Sequence, residues 1–311
     1  MGILSEKETE EIISEIIDEK LKITKNYIFT STDKYKVLTR RLKRVILKSM
    51  KYILESLKDS DFEVFGNELE FKKGKEYEPI KLELEDGKRV EITGKIDRID
   101  LAKTSDGNYI RIIDYKSSVK NIDLNEVYAG LQLQLLTYLD ATCKIEEMLP
   151  AGVLYFSLID PIIKSDKYMT DEQIELELKK KFKMNGIILA DVKVVKMMDK
   201  KLDSGASNLI PAYIDKEGNL SKKSNAVTKE QFEDLQKYTA KIIKEISQEI
   251  LSGDISLKPY YNIKTKKKPC DYCEYKSICQ FDAGQNENNY NYISKMEKDD
   301  ILNKIRNTVE K

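Results

Sequence analysis

The sequence predicts a mixed α/β fold: a sheet core flanked by helices, followed by a cysteine-containing tail. Three observations predict it. Apolar residues recur at helical spacing up to about Leu57, at strand spacing from Phe62 to Asp114, and at helical spacing again from Asn125. Two Asp-Gly pairs, Asp86-Gly87 and Asp106-Gly107, punctuate the strand region, the signature of tight hairpins. An apolar run, Ala151 to Ile159, follows the second helical stretch, and sheet, helix, sheet in that order is the pattern of a mixed core.

The first helix is expected after Ser5, which forms a capping box with Glu8. Its apolar stripe is Ile12, Ile13, Ile16, Ile17 and Leu21. A second helix is expected from about Thr32 to Leu57. Tyr35, Leu38, Leu42, Val45, Ile46 and Ile53 form one side, and Arg40, Arg41, Lys43 and Arg44 the other. That basic run could touch phosphates or simply be a solvated helix face. Phe62 to Phe71 reads as a strand. Lys81 to Glu85 and Arg89 to Thr93 read as a hairpin about Asp86-Gly87. Tyr109 to Asp114 is the most apolar strand and is placed centrally. Asn125 to Cys143 reads as one helix with Val127, Leu131, Leu135 and Leu139 on its apolar side. Thr170 to Met184 reads as another, stopped by Asn185-Gly186. Lys200 to Lys229 is turn-rich, interrupted by Leu209 to Ile214. Thr228 and Gln231 box the start of a helix that runs to Leu251 and stops at Gly253. A basic loop, Lys264 to Lys268, leads into the cysteines, and an Asn-rich stretch from Asn286 precedes a short charged helix.

At 311 residues, 41% of them hydrophobic and 35% charged, the chain can build a folded core with appendages. The expected organisation is an N-terminal helical segment (1–60), a core with helical additions (61–255), a cysteine tail (256–285) and a terminal helix (286–311). Lys+Arg and Asp+Glu balance at 54 each. No global positive field therefore advertises tight autonomous nucleic-acid binding, although an enzyme that receives its strand from a partner needs none. No apolar run approaches a membrane span, no secretory leader is visible, and the four cysteines are not spaced as a secreted scaffold. The expected compartment is the cytoplasm. Met1-Gly2 runs almost directly into a helix, which fits either a natural start or a piece cut from a longer polypeptide.

One constellation carries chemistry. Asp97 lies in Gly94-Lys95-Ile96-Asp97-Arg98-Ile99-Asp100, and Asp114 and Lys116 lie in Ile112-Ile113-Asp114-Tyr115-Lys116. Asp114 and Lys116 leave one face of a strand, and Tyr115 leaves the other. The turn at Asp106-Gly107 can bring Asp97 beside Asp114. Two carboxylates plus the Tyr115 carbonyl are hard oxygen donors suited to a divalent cation. A lysine beside them can orient water or neutralise phosphate charge, the minimum for metal-assisted phosphodiester hydrolysis. The bland alternative is a surface ion pair between Asp114 and Lys116. Gln134 and Tyr138 are four apart and share a helix face, with Gln132 an alternative inward glutamine. Arg98 could pair with a carboxylate or a DNA backbone, and Asp100 could be structural.

Cys270-Asp271-Tyr272-Cys273 followed by Cys279 is a C-x₂-C-x₅-C pattern that suggests zinc or an iron–sulfur cluster. Both usually want four anchors. There is no histidine, and Cys143, the remaining cysteine, follows an apolar helix where a buried free thiol is common.

Together these residues resemble the PD-(D/E)xK nuclease superfamily in its RecB-like branch. In more detail they resemble the C-terminal nuclease domain of the B subunit of AddAB-type ATP-dependent helicase/deoxyribonucleases. Gly130 to Leu139 is similar to that family's glutamine–tyrosine helix. Pro259-Tyr260, then Pro269 to Cys279, Phe281 and Asp282, are similar to its cysteine tail. The resemblance covers nearly the whole chain and implies a restriction-endonuclease-like core. It implies Mg²⁺ or Mn²⁺ on Asp97 and Asp114, a catalytic Lys116, and a site supported by Gln134 and Tyr138. It also implies that Cys270, Cys273 and Cys279 are three of four ligands to a [4Fe–4S] cluster. The family's first cluster cysteine and an acidic motif lie upstream of its core and are not recognisable here, so the expectation is a truncated fragment whose cluster is incomplete or absent. The implied partners are DNA and an AddA-type helicase/nuclease subunit, with no membrane. The implied role is exonuclease action in double-strand break resection and recombinational repair. No Walker A motif occurs, so ATP use would belong to absent parts or the partner. A catalytically impaired DNA-binding or assembly domain with the same shape is the competing expectation, and an unrelated cysteine-metal protein is a third.

Overall fold

The computed structural model describes residues 6–24, 28–285 and 289–310. Met1-Gly2, Ser5 of the expected capping box and Asn286 lie outside them. Two helices come first, α1 (Glu6–Ile23) and α2 (Asp33–Lys58), and the Thr32 side chain caps α2 by accepting from Tyr35 N. Strand β1 (Glu63–Phe71) follows, then a separate hairpin of β2 (Ile80–Glu83) and β3 (Arg89–Ile92) about Asp86-Gly87. Next come β4 (Gly94–Thr104) and β5 (Gly107–Lys116), joined by the two-residue turn Ser105-Asp106, one residue before the expected Asp106-Gly107.

A crossover through α3 (Leu124–Tyr128) and α4 (Gln134–Ile145) leads to β6 (Leu149–Ser157). The chain then forms α5 (Asp171–Phe182), β7 (Asn185–Leu189), α6 (Val192–Met198), short strands β8 (Gly205–Ala206), β9 (Tyr213–Ile214) and β10 (Ala226–Val227), and α7 (Lys229–Ser252). Thr228 and Gln231 form the capping box of α7, and Gly253 ends it at φ +77°. The tail holds β11 (Tyr260–Asn262), the single turn α8 (Lys276–Cys279), β12 (Asn291–Ile293) and α9 (Lys298–Val309), which packs on α7 and α3.

The main sheet has the order β1-β4-β5-β6-β7-β10. β5 and β6 run parallel at its centre, as a helical crossover requires, and β4 pairs antiparallel with β5. Ile110, Ile112 and Ile113 of β5 and Val153 and Leu154 of β6 are essentially inaccessible to water. An aromatic column covers one face: Tyr115 meets Phe156 edge-on, Phe156 stacks on Phe182 of α5, and Phe182 stacks on Tyr52 of α2 at 4.3 Å. Helix α4 packs on β5 and β6 and backs onto α7.

Two expectations are corrected. The helix read over Asn125 to Cys143 is two helices. Gly130 takes a left-handed φ of +81° and Gln132 one of +52°. The Gln132 side chain then folds back on α3, accepting from Asp123 N and donating to the Glu126 carboxylate. Asn185-Gly186 does not stop α5, which ends at Phe182. It opens β7, where a Cβ on Gly186 would sit 2.1 Å from the Val153 carbonyl oxygen. The glycine serves close strand approach rather than a helix cap.

The largest fully buried side chain is charged. Arg111 of β5 donates through Nε to Asp100 Oδ2 at 2.9 Å. Arg98 grips both oxygens of the same carboxylate at 2.5 and 2.7 Å and reaches the Tyr115 hydroxyl at 3.3 Å. Both terminal nitrogens of Arg111 lack a hydrogen-bond acceptor, and its guanidinium lies over the Phe62 ring at 4.8 Å. Burial pushes the Arg111 pKa down, whereas Asp100 raises that of Arg98 against burial. Asp100→Ala should therefore cost roughly 3–5 kcal/mol, the usual penalty for stranding a buried charge. Arg111→Met should cost far less, because it removes orphan donors along with the charge. Urea unfolding of the two variants measures the difference, and equal losses would contradict it.

Candidate active site

Strand register brings the two acids together. Arg98 pairs with Ile113, so one further step places Asp97 opposite Asp114 on the same face of the sheet. At that step β4 stops exchanging main-chain hydrogen bonds with β5. Instead the Tyr115 N–H donates to Asp97 Oδ2 at 2.8 Å. A strand residue's N–H and C=O leave by the same edge, so the Tyr115 carbonyl shares that edge with the Asp97 carboxylate. The Tyr115 ring points to the other face and packs on Phe156, as the alternation of a strand requires.

Asp114 is 7% exposed. Lys116 Nζ lies 2.7 Å from its Oδ2, yet out of line for a hydrogen bond, so that buried oxygen is ion-paired but has no hydrogen-bond partner. Burial holds the Asp114 carboxyl above the ordinary carboxylate range; Lys116 opposes this and the charge of Asp97 adds to it. Lys116 also faces the Tyr155 ring at 5.7 Å, and Tyr155 pairs with Asp114 across β6.

Two neighbouring carboxylates, one of them with an unbonded buried oxygen, answered by a single ammonium leave a local demand for positive charge. The hard-oxygen donor set of Asp97, Asp114 and the Tyr115 carbonyl fits Mg²⁺ or Mn²⁺, which keep several waters of their own. Among the described residues no group of three His, Cys, Asp or Glu side chains converges on one point, so any cation here would rest on two carboxylates and main chain.

Gln134 and Tyr138 do share a face at the start of α4, with the Gln134 amide donating to the Tyr138 hydroxyl at 3.3 Å. Tyr138 is 5% exposed and stacks on Phe71. Its hydroxyl accepts from Lys95 N at 3.2 Å. The pair thus buttresses the strand segment that delivers Asp97. Gln132 is not the inward glutamine, because its side chain is spent on α3. Arg98 faces the core and Asp100, not a ligand.

The three tail cysteines are not gathered into a ligand set. Cys273 and Cys279 are exposed and Cys270 half-exposed. Cys143 packs against the core, and burial pushes its thiol up to about 12, which keeps it protonated. Sequence reasoning missed Glu126, whose carboxylate accepts from Gln132 and from the buried Asn262 at 3.1 Å. No period or motif marks it. It also missed Arg111, although a lone charge within Ile110 to Ile113 was a visible signal.

Gly94 is obligatory for this arrangement: a Cβ there would lie 1.9 Å from the Tyr138 hydroxyl oxygen. Gly94→Ala should destabilise the chain by about 1–3 kcal/mol, the range for overpacking. Tyr138→Phe in the same chain should recover part of the loss by removing the colliding oxygen. Thermal melts of the single and double variants test this, and strict additivity would refute the contact.

The family model described as the PD-(D/E)XK nuclease superfamily matches residues 3–280. The chain is 41% identical over 297 residues to the B subunit of the ATP-dependent helicase/deoxyribonuclease of Acetivibrio thermocellus, covering 94% of this chain and 26% of that protein. It is 42% identical over 313 residues to the protein of the same name from Clostridium perfringens strain SM101, covering 98% and 27%. The corresponding figures for Thermoanaerobacter sp. strain X514 are 38% over 307 residues, 97% and 26%. The chain thus spans about a quarter of the length of these curated relatives. No helix among the described residues is long and apolar enough to cross a membrane. With its mixed sheet flanked by helices and its register-paired acids beside Lys116, the chain aligns over nearly its full length with B subunits of this helicase/deoxyribonuclease type and belongs to the PD-(D/E)XK nuclease superfamily.

Proposed function

We propose that the chain is a Mg²⁺- or Mn²⁺-dependent deoxyribonuclease module, the exonuclease part of an ATP-dependent helicase/nuclease acting in double-strand break resection and recombinational repair. The observation that carries this reading is the Asp97–Asp114 pair on one face of the sheet, with the buried Asp114 Oδ2 ion-paired to Lys116 at 2.7 Å. Asp97 is held by the Tyr115 amide, and Asp114 by its place in the central strand. When bound, a divalent cation would supply Lewis acidity at the scissile phosphate.

Lys116 would hold positive charge where the phosphate oxygens gain charge, and would orient the attacking water. Tyr138 and Gln134 keep the segment Gly94 to Asp97 from shifting, so the two carboxylates stay in register. DNA is the proposed substrate and an AddA-type helicase/nuclease subunit the proposed partner. Cys270, Cys273 and Cys279 are proposed as ligands to a [4Fe–4S] cluster in the complete protein, with a fourth anchor from elsewhere. Among the described residues no third acidic side chain joins Asp97 and Asp114, which favours a second reading, a DNA-binding or assembly domain that keeps the nuclease shape.

Cleavage separates the two. In the complete helicase/nuclease with Mg²⁺ and end-labelled DNA, Asp114→Ala and Lys116→Ala should each abolish degradation while unwinding continues. Normal degradation by either variant would remove that residue from the chemistry. Cation binding is tested without turnover. Asp114→Asn should be more stable than the unchanged chain in EDTA, because it relieves a buried carboxylate crowded by Asp97. It should also lose the rise in Tm that millimolar Mg²⁺ or Mn²⁺ gives the unchanged chain. An equal rise in both would exclude Asp114 as a ligand.

A further inference from the structure

Helix α7 carries a feature that the site described above does not use. Ile242, Glu245, Ile246 and Glu249 stand at i, i+3, i+4 and i+7, so they share one face of the helix. Against that face lie the turn Tyr128 to Gly130, which closes α3, and strand β12. The three parts line a groove of about 300 Å³. Gly130, at φ +81°, brings the turn close: a Cβ there would lie 3.4 Å from Ile242 Cγ2.

The lining is aliphatic and acidic at once. Ile242, Ile246 and Ile293 supply the first property, and Glu245 and Glu249 the second. Both carboxylates are exposed, and neither has an ion-pair partner among the described residues. Lys241, one turn ahead of Glu245, donates to the Thr308 carbonyl at 2.8 Å instead. Like charges one turn apart weaken a helix, so this face is left with two unanswered negative charges. A hard divalent ion does not suit them. No third carboxylate converges here among the described residues, and isoleucines offer such an ion no oxygen. An ammonium on a hydrocarbon stem does suit, because its methylenes can lie on apolar surface while its charge meets a carboxylate.

We propose that this groove binds a linear aliphatic polyamine, with ammonium groups on Glu245 and Glu249 and the chain between them along Ile242, Ile246 and Ile293. Side chains four apart on a helix have Cβ atoms about 5–6 Å from one another, a span that the two ammonium groups of putrescine match. Small-molecule sites run from about 300 to 1,000 Å³, so a groove at the low end takes one slender chain rather than a ringed ligand. Tyr292, 58% exposed in the same lining, offers an aromatic face to an ammonium. A bound chain would fasten β12 and the α3 turn to α7. The inference stands apart from the nuclease reading and does not need the chain to cut DNA.

The test is isothermal titration calorimetry of putrescine and spermidine into the chain, in EDTA at constant ionic strength. Both should bind saturably. Glu245→Gln/Glu249→Gln should weaken binding about tenfold, as the loss of two exposed ion pairs implies. Ile246→Lys should abolish it, by placing a tethered ammonium in the groove. Glu15→Gln/Glu19→Gln removes an exposed acid pair of the same spacing on α1 and should change nothing. Butanediol, which keeps the chain and lacks the charge, should not bind. Butylamine stands for the lysine side chain of another protein, with the same stem and a single ammonium, and should bind more weakly than putrescine. Melting curves show whether each variant is folded.

The proposal is overturned if neither polyamine binds saturably, if the groove variants bind as the unchanged chain does, or if the acid pair on α1 matters equally. Binding of butanediol would reduce the groove to an apolar cleft. Butylamine binding as tightly as putrescine would overturn the polyamine in favour of a docked lysine.

Discussion

Asp100, shared between two buried arginines, is the constraint on which the site depends. Its carboxylate is bonded from its own strand by Arg98 and from the neighbouring strand by Arg111. A one-residue slip of β4 against β5 would pull Asp100 away from Arg111 and leave a guanidinium in the core without its counter-ion. Register slips are costly wherever one face is buried, and here the penalty is ionic as well as hydrophobic. Because register is fixed at Asp100, it is also fixed three residues earlier, where Asp97 meets Asp114. Arg98 extends the same restraint to Tyr115, whose amide holds Asp97.

The front of the sheet is arranged on the opposite electrostatic principle. Behind, a carboxylate is over-supplied with cationic donors. In front, two carboxylates share one ammonium, and a buried oxygen of Asp114 goes without a hydrogen bond. Desolvated carboxylates are costly when two lie together, and burial with this crowding is what holds the Asp114 carboxyl above the ordinary range despite Lys116. The surrounding parts supply stiffness. Tyr138 locks the start of β4 from above, Gly94 makes room for it, and the Phe71 ring supports it from beside.

Much of this was legible in the residues. Hairpin dipeptides located the β4–β5 turn, and the two-residue alternation placed Asp114 and Lys116 on one face with Tyr115 on the other. Four-residue spacing paired Gln134 with Tyr138. What could not be read were features in which a side chain overrides the local pattern. The helix expected through Asn125 to Cys143 is broken because Gln132 finds better partners on α3 than in a helical turn. Asn185-Gly186 has the composition of a helix stop but serves a sheet contact made by a strand thirty residues away. Cysteine spacing suggested a ligand set, yet spacing does not by itself converge three thiols.

Taken alone, the sequence determined the kind of fold and the central strand and put the acids and the lysine forward as candidates, because periodicity and turn chemistry act over a few residues and are written locally. Only the tertiary structure decided that the Tyr115 amide holds Asp97, that Arg98 and Asp100 belong to the core, and that Asn262 of the tail bonds Glu126. Each of these depends on a partner eleven or more residues away, chosen by burial and charge balance. No local rule encodes such a choice, since it is made when the sheet closes and every buried charge must find its counterpart.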